Sequence, residues 1–156
     1  MKDMSAQAPT RESADSPESA RSIEEQYRHF LQLASEGLWR FDLGTPVSTA
    51  LPVHEQAETV AREARVGLCN DTFARQFGHD KPEAMQGIAF GDLLSSTREE
   101  QLGFIVAFIM SGYRLDNLLL AERRRDGSVF RSLNNLSGEV ENGRVGLLRT
   151  VLAGGG

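Results

Sequence analysis

The residues of this chain that could do chemistry are three histidines, one cysteine and a scatter of carboxylates. His29, His54 and His79 fall on three separate segments with no i, i+4 pair, so their spacing offers no metal-ligating face. Asp42, Asp92, Asp116 and Glu122 can be argued into a carboxylate pair, but solvated charge is the better reading of them. Cys69 precedes a helix start, where a thiol can be activated, but it also ends an apolar run. Free cysteine in such a run is usually buried, and inert burial is the expectation. There is no Gly-x-Ser-x-Gly, no phosphate loop and no dinucleotide fingerprint. The chain reads as a non-enzyme; a small α+β enzyme would need an inward acid–base pair.

The bulk properties narrow the class further. A chain of 156 residues is one domain plus a tail, and 40% hydrophobic residues suffice for a core. A net charge of −5 disfavours nucleic acid, whose phosphates need clustered Lys and Arg. The one dense basic cluster, Arg123-Arg124-Arg125, stands before Asp126-Gly127 and reads as the exposed end of a hairpin strand. A single cysteine excludes an internal disulfide and fits a reducing cytoplasm. The polar, acidic start does not resemble a signal peptide, and no apolar run reaches membrane-spanning length. A cytoplasmic protein without membrane contact is expected.

The elements that must position these residues follow from periodicity. Residues 1–21 have almost nothing to bury and read as a disordered tail. Ser22 to Glu25 forms a capping box, and Ile23, Tyr27, Phe30 and Leu31 follow at helical spacing. Leu38 to Leu43 alternates as a strand with Trp39, Phe41 and Leu43 on its core face. Residues 44–65 read as an inserted loop from Gly44 to Val53, punctuated by Pro46 and Pro52, and then a helix from His54 to Arg65. The run Val66 to Cys69 feeds Asn70, which can cap a short helix carrying Phe73, Ala74 and Phe77 and stopped by Gly78. Asp80 can cap a second short helix with Pro82 in its first turn and Gly87 at its close. Thr97 to Glu100 is a second capping box, opening the longest apolar helix, which runs to Ser111-Gly112. Leu115 to Arg125, Ser128 to Val140 and Val145 to Leu152 read as strands joined at Asp126-Gly127 and Asn142-Gly143, with a glycine tail at 154–156. The fold class is α+β: a five-stranded antiparallel sheet with helices largely on one face.

This order of motifs resembles the PAS sensor family over roughly residues 25 to 152. The residues that carry the resemblance are Glu36-Gly37-Leu38-Trp39-Arg40-Phe41-Asp42 in the first strand, then Asn70, Phe73, Ala74, Phe77-Gly78, Glu83 and Gly87. The hairpins Arg125-Asp126-Gly127-Ser128 and Glu141-Asn142-Gly143-Arg144 complete it. The insertion departs from the tight turn usual there, although Pro46, Leu51-Pro52 and Gln56 resemble one PAS subgroup. The family pattern implies a sensory module in the 22–153 region, with the helix at 22–35 covering the second sheet face or meeting a second subunit. It also makes the helix after Thr97 a supplier of the ligand pocket.

The candidate ligand residues are then Trp39, Phe41, Phe73, Phe77, Phe104, Ile105, Phe108 and Ile109, an apolar lining of the kind small-molecule sites have. Asn134 and Asn135 are strand neighbours, so one faces inward, and a buried Asn needs a partner that a ligand can supply. The alternative is that the same residues simply fill a core and the domain works by dimerisation alone. Ile23, Tyr27, Phe30 and Leu31 are the candidate dimer contacts. Leu118-Leu119-Leu120 is apolar on both faces, which asks for cover on both sides. Flavin is disfavoured, because the stretch Ile88 to Leu93 lacks the cysteine of flavin light sensors; haem is disfavoured, because Thr97 to Gly112 contains no histidine. An unidentified small molecule stays open, and the expected partners are a second copy and a kinase, cyclase or transcription regulator acted on in trans. The end at Ala153-Gly154 in place of the family's Asp-Ile-Thr fits either a stand-alone sensor or a fragment.

Overall fold

Alternation puts the first strand in place. The computed structural model describes residues 23, 25, 26, 29 and 36–155. β1 (Leu38–Ser48) turns Trp39, Phe41 and Leu43 into the core and Leu38, Arg40 and Asp42 outward. It is followed by α1 (Val53–Glu63), β2 (Ala64–Cys69), α2 (Asp71–Gln76), single 3-10 turns at Pro82–Met85 and Phe90–Leu93, α3 (Arg98–Met110), β3 (Arg114–Arg123), β4 (Val129–Glu141) and β5 (Arg144–Gly155). Five strands among the described residues make one sheet in the order β2-β1-β5-β4-β3, every neighbouring pair antiparallel. The inner face carries one apolar core, to which α1 gives Ala57 and Val60, α2 and its cap give Phe73 and Phe77, and α3 gives Ile105 and Phe108. Of the N-terminal helix, Ile23 is helical and exposed. Tyr27, Phe30 and Leu31, like residues 1–22, lie outside the described residues.

Several boundaries differ from the sequence pattern, each for a tertiary reason. β1 does not stop at Leu43: it continues through the expected loop, because Val47 pairs with Val145 of β5 and is fully buried. The Gly44 and Pro46 punctuation is absorbed as a register shift between Asp42 and Val47 rather than a chain break. α1 runs Val53–Glu63 instead of His54 to Arg65, since Ala64 and Arg65 are taken into the β1–β2 pairing. The 3-10 turn at Pro82 is entered from Lys81, not Asp80, and has no side-chain cap. β5 extends into the glycines expected as a tail, with Gly154 opposite Leu133. On the inserted helix, Gln56 is buried and donates to the carbonyls of Thr49 and Leu51 at 3.2 and 2.7 Å.

Helix ends and turns follow their local chemistry closely. At α3 both bonds of the capping box form, Glu100 N–H to Thr97 Oγ1 at 3.1 Å and Thr97 N–H to Glu100 Oε1 at 2.8 Å. The helix then buries Ile105, Phe108 and Ile109, while Met110, at its end, is exposed. Asn142 and Gly143 both have positive φ, the two-residue turn whose twist suits a hairpin. β3 is an edge strand whose register slips between Leu115 and Leu118; there Asn117 sits at φ 58° and donates its N–H to Asn135 Oδ1 at 2.9 Å.

The Tyr113 hydroxyl donates to Gln56 Oε1 at 2.7 Å in the buried seam between α1 and the α3–β3 junction. Burial pushes this phenol up to about 12, so it stays a donor through the accessible pH range. Tyr113→Phe removes the one donor to a buried amide oxygen, and we expect a loss of about 1–3 kcal/mol. Urea midpoints of the two proteins measure it; an unchanged midpoint would mean that water replaces the hydroxyl.

Candidate functional site

Local capping aims the aromatic candidates. Asn70, buried at the β2–α2 junction, accepts from Phe73 N–H at 3.0 Å and so starts α2. With the helix begun there, Phe73 and Phe77 fall one turn apart and face β1. Gly78, at φ 88°, then turns the chain away in a conformation a side chain would resist. Trp39 lies 4.0 Å from Phe41 and 4.2 Å from Phe73, and Phe73 lies 4.8 Å from Phe77, measured between ring centroids. Phe104 joins this cluster through Phe90, with which it makes an edge-on contact at 5.9 Å. Phe108 sits apart from the cluster, edge-on to Tyr113 at 5.1 Å, with Ile105 and Ile109 on the same helix buried. The structure thus brings Trp39, Phe41, Phe73, Phe77 and Phe104 into one chain of rings and puts Phe108 at a second place.

Beside the rings, on the same face of the sheet as Trp39 and Phe41, lies a polar patch that the sequence reading resolved only in part. Asn134 faces inward and is fully buried, whereas Asn135 turns to the outer face. Beside Asn134 stand Glu122, Ser132 and Thr150, all buried. Glu122 was expected to be solvated, yet it shares strand phase with Leu120 and is 0% exposed. That phase was the signal: every second residue of Leu118, Leu120, Glu122 points the same way. The bonds form a directed chain. Asn134 Nδ2 donates to Ser132 Oγ at 3.0 Å and to the Ser132 carbonyl at 3.3 Å, and the Ser132 hydroxyl donates to Glu122 Oε1. Glu122 Oε2, Asn134 Oδ1, Thr150 Oγ1 and the Trp39 indole N–H are buried with no hydrogen-bond partner. Four such atoms on one face are costly unless something else meets them.

The other candidate groups stay structural. Cys69 is buried, and burial first, then the Glu83 and Asp71 carboxylates, push its thiol up to about 12, the opposite of activation. Asp42 pairs with Arg40 at 2.7 Å and Asp116 approaches Arg114 at 3.6 Å on the outer face. Among the described residues no group of three His, Cys, Asp or Glu side chains is placed to hold a metal.

Burial raises the Glu122 carboxyl from 4.5 to about 7, against a smaller lowering by the Ser132 bond. A carboxyl whose folded value is raised stabilises the fold fully below its unfolded value, and that contribution is lost as pH rises through the folded value. Wild-type stability should therefore fall between about pH 5 and pH 8, by a few kcal/mol at most on the scale of roughly 1.4 kcal/mol per pH unit. Glu122→Gln should flatten this slope. Urea midpoints at several pH values check it, and an equally steep slope in the variant would refute the assignment.

No protein-family model matches this sequence, and no curated protein matches it. Solved structures do match in shape. The Rhodobacter sphaeroides LOV protein is similar at 17% identity and a TM-score of 0.58, over 85% of this chain and 66% of that one, just under two thirds. A LOV domain studied with a flavin analogue is similar at 14% identity and 0.54, over 83% and 84%. The PAS domain of an HTR-like protein from Haloarcula marismortui is similar at 12% identity and 0.54, over 86% and 93%. These likenesses overturn the reading that flavin is disfavoured: the missing cysteine in Ile88 to Leu93 removes one reactive atom, not the shape of a site, and structures sharing this shape are LOV domains. The polar groups of the inner face suit the hydrogen-bonding edge of such a ring system. No helix among the described residues is long and apolar enough to cross a membrane. The fold of this chain is that of the PAS and LOV domains.

Proposed function

We propose that this chain is a sensory module: it takes a small molecule on the inner face of its sheet and passes the signal on through contacts with a second copy or a partner. The observation that carries this reading is the buried patch of Glu122, Ser132, Asn134 and Thr150, whose open hydrogen-bonding atoms adjoin the aromatic cluster, Thr150 pairing directly with Trp39, in a PAS/LOV fold. A core evolved only for packing gains nothing from such atoms, whereas a ligand that meets them recovers the cost of their burial. Asn134 and Thr150 would orient the ligand's polar edge, and Trp39, Phe41, Phe73, Phe77 and Phe104 would cover its apolar body. Ile105, Phe108 and Ile109 of α3 would carry the change towards α1. A flavin, when bound, supplies light absorption and redox chemistry; the chain's own residues supply orientation and exclusion of water.

A second reading has its own support. The rings of Trp39, Phe41, Phe73 and Phe77 meet at contact distance, tilted against one another, as the packed core of a dimerisation domain with no ligand would have them. Both readings use the outer sheet face, where Leu119 and Leu133 are exposed. We assign that face to the N-terminal helix stripe (Ile23, Tyr27, Phe30, Leu31) and through it to a homodimer in the cytoplasm.

Native mass spectrometry and an absorption spectrum of the purified chain test the ligand: a retained small molecule supports sensing, and a clean apo mass supports the filled core. Deletion of residues 1–33 tests the second surface. We expect a lower melting temperature and a change of oligomeric state by light scattering, because each apolar side chain uncovered costs roughly 1.5–3 kcal/mol. Unchanged values in both would sink the assignment.

A further inference from the structure

We propose that the open ends of the Glu122–Ser132–Asn134 chain recognise the N–H groups of an organic cation, an amidinium or protonated amine on an aromatic body. This rests on the ligand-binding reading above and adds the class of ligand. The direction of the chain decides the class. Asn134 spends its NH2 group on Ser132, and turning the amide over would set its oxygen against the Ser132 carbonyl. The Ser132 hydroxyl spends its proton on Glu122 Oε1. What remains at the two ends is oxygen, Asn134 Oδ1 and Glu122 Oε2, with the Thr150 hydroxyl on the same face. The open donors, the Trp39 indole N–H and the Thr150 hydroxyl, sit together at the β1–β5 pairing, whereas both ends of the chain itself are acceptors. A carboxylate or phosphate beside Glu122 would be repelled, while paired N–H groups meet both ends.

The surroundings suit positive charge. Glu122 is the one charged side chain buried among the described residues, so it has no buried counter-ion. Phe130 stands opposite it in the β3–β4 register, and Phe77 lies 5.1 Å from Phe130, edge-on. An aromatic face beside a buried carboxyl attracts a cation. Phe130 already holds one: the Arg124 guanidinium lies 4.4 Å over its ring, donating also to the Gln76 carbonyl. The charged neighbours turn to solvent, Arg123 on the same strand and Asp92 on the Phe90–Leu93 turn packed against it. Burial and Ser132 alone set the Glu122 carboxyl near 7. Below that value a cation must expel the proton to bind, so affinity should fall by up to about tenfold per pH unit as pH drops.

Benzamidine, benzamide and benzoate share a ring and differ in charge and donors, which makes them the probes. Titration calorimetry of the full chain at pH 7.5 should show benzamidine binding at least tenfold more tightly than the other two. Near pH 6.5, heats in two buffers of different ionisation enthalpy should report proton release with benzamidine. Glu122→Gln should weaken benzamidine binding tenfold or more and abolish the proton release, while Asn135→Ala on the outer face leaves both unchanged. Benzoate or benzamide binding as well as benzamidine overturns the proposal, even where Glu122→Gln fails to fold; so does tight benzamidine binding by that variant. If benzamide or flavin mononucleotide binds and benzamidine does not, the sensory reading stands and the cation falls. If none binds, both fall, and internal water meets the cluster.

Discussion

The side chain of Asn70 ties the start of the first strand to the start of the helix that carries the ring cluster, 32 residues along the chain. Its Oδ1 accepts from Phe73 N–H and from Leu38 N–H at 3.1 Å, and its Nδ2 donates to the Glu36 carbonyl at 2.7 Å. One buried amide thereby starts α2, fixes the entry of β1 and holds the two together. Were that helix to start one residue later, its aromatics would turn by roughly 100° and Phe73 would leave Trp39. The ring cluster beside the polar patch depends on this amide being placed correctly.

Much of this was legible because it is local. A cap, an aromatic pair one turn apart and a stopping glycine are written in consecutive residues, and so are the capping box at Thr97 and the turn at Asn142-Gly143. What escaped was set by partners distant in the chain. Gly44 and Pro46 carry every local sign of a loop, and only the pairing of Val47 with Val145 keeps them in a strand. Glu122 looked solvated because a charge is usually so; its in-phase position with Leu118 and Leu120 was available and outweighed it. Ser132 and Thr150 gave no sign of their own, since small hydroxyl residues occur on either face of a sheet. Flavin was misjudged because a motif for a reactive atom was taken as a motif for a binding shape.

The two faces of the sheet divide the work. The inner face joins aromatic packing to open hydrogen-bonding oxygens under three helices, where a low dielectric makes each unmet atom expensive and each met one selective. The outer face keeps its ion pairs, Arg40 with Asp42 and Arg149 with Glu139, at the surface, where they contribute little to stability. Between them the Gln56–Tyr113 bond locks the inserted helix to the junction of α3 and β3, so a shift of either is felt by the other.

The slipped register of β3 bears on how copies of this protein can meet. An edge strand offers a row of unpaired backbone groups to any passing chain. Here the row is interrupted where Asn117 takes a left-handed turn and Asn135 occupies its N–H, and β2, at the other edge, is six residues long. Strand-by-strand growth into fibres is thereby blunted at both sides of the sheet, which leaves the outer face, with Leu119 and Leu133 exposed, as the surface for the contact proposed above.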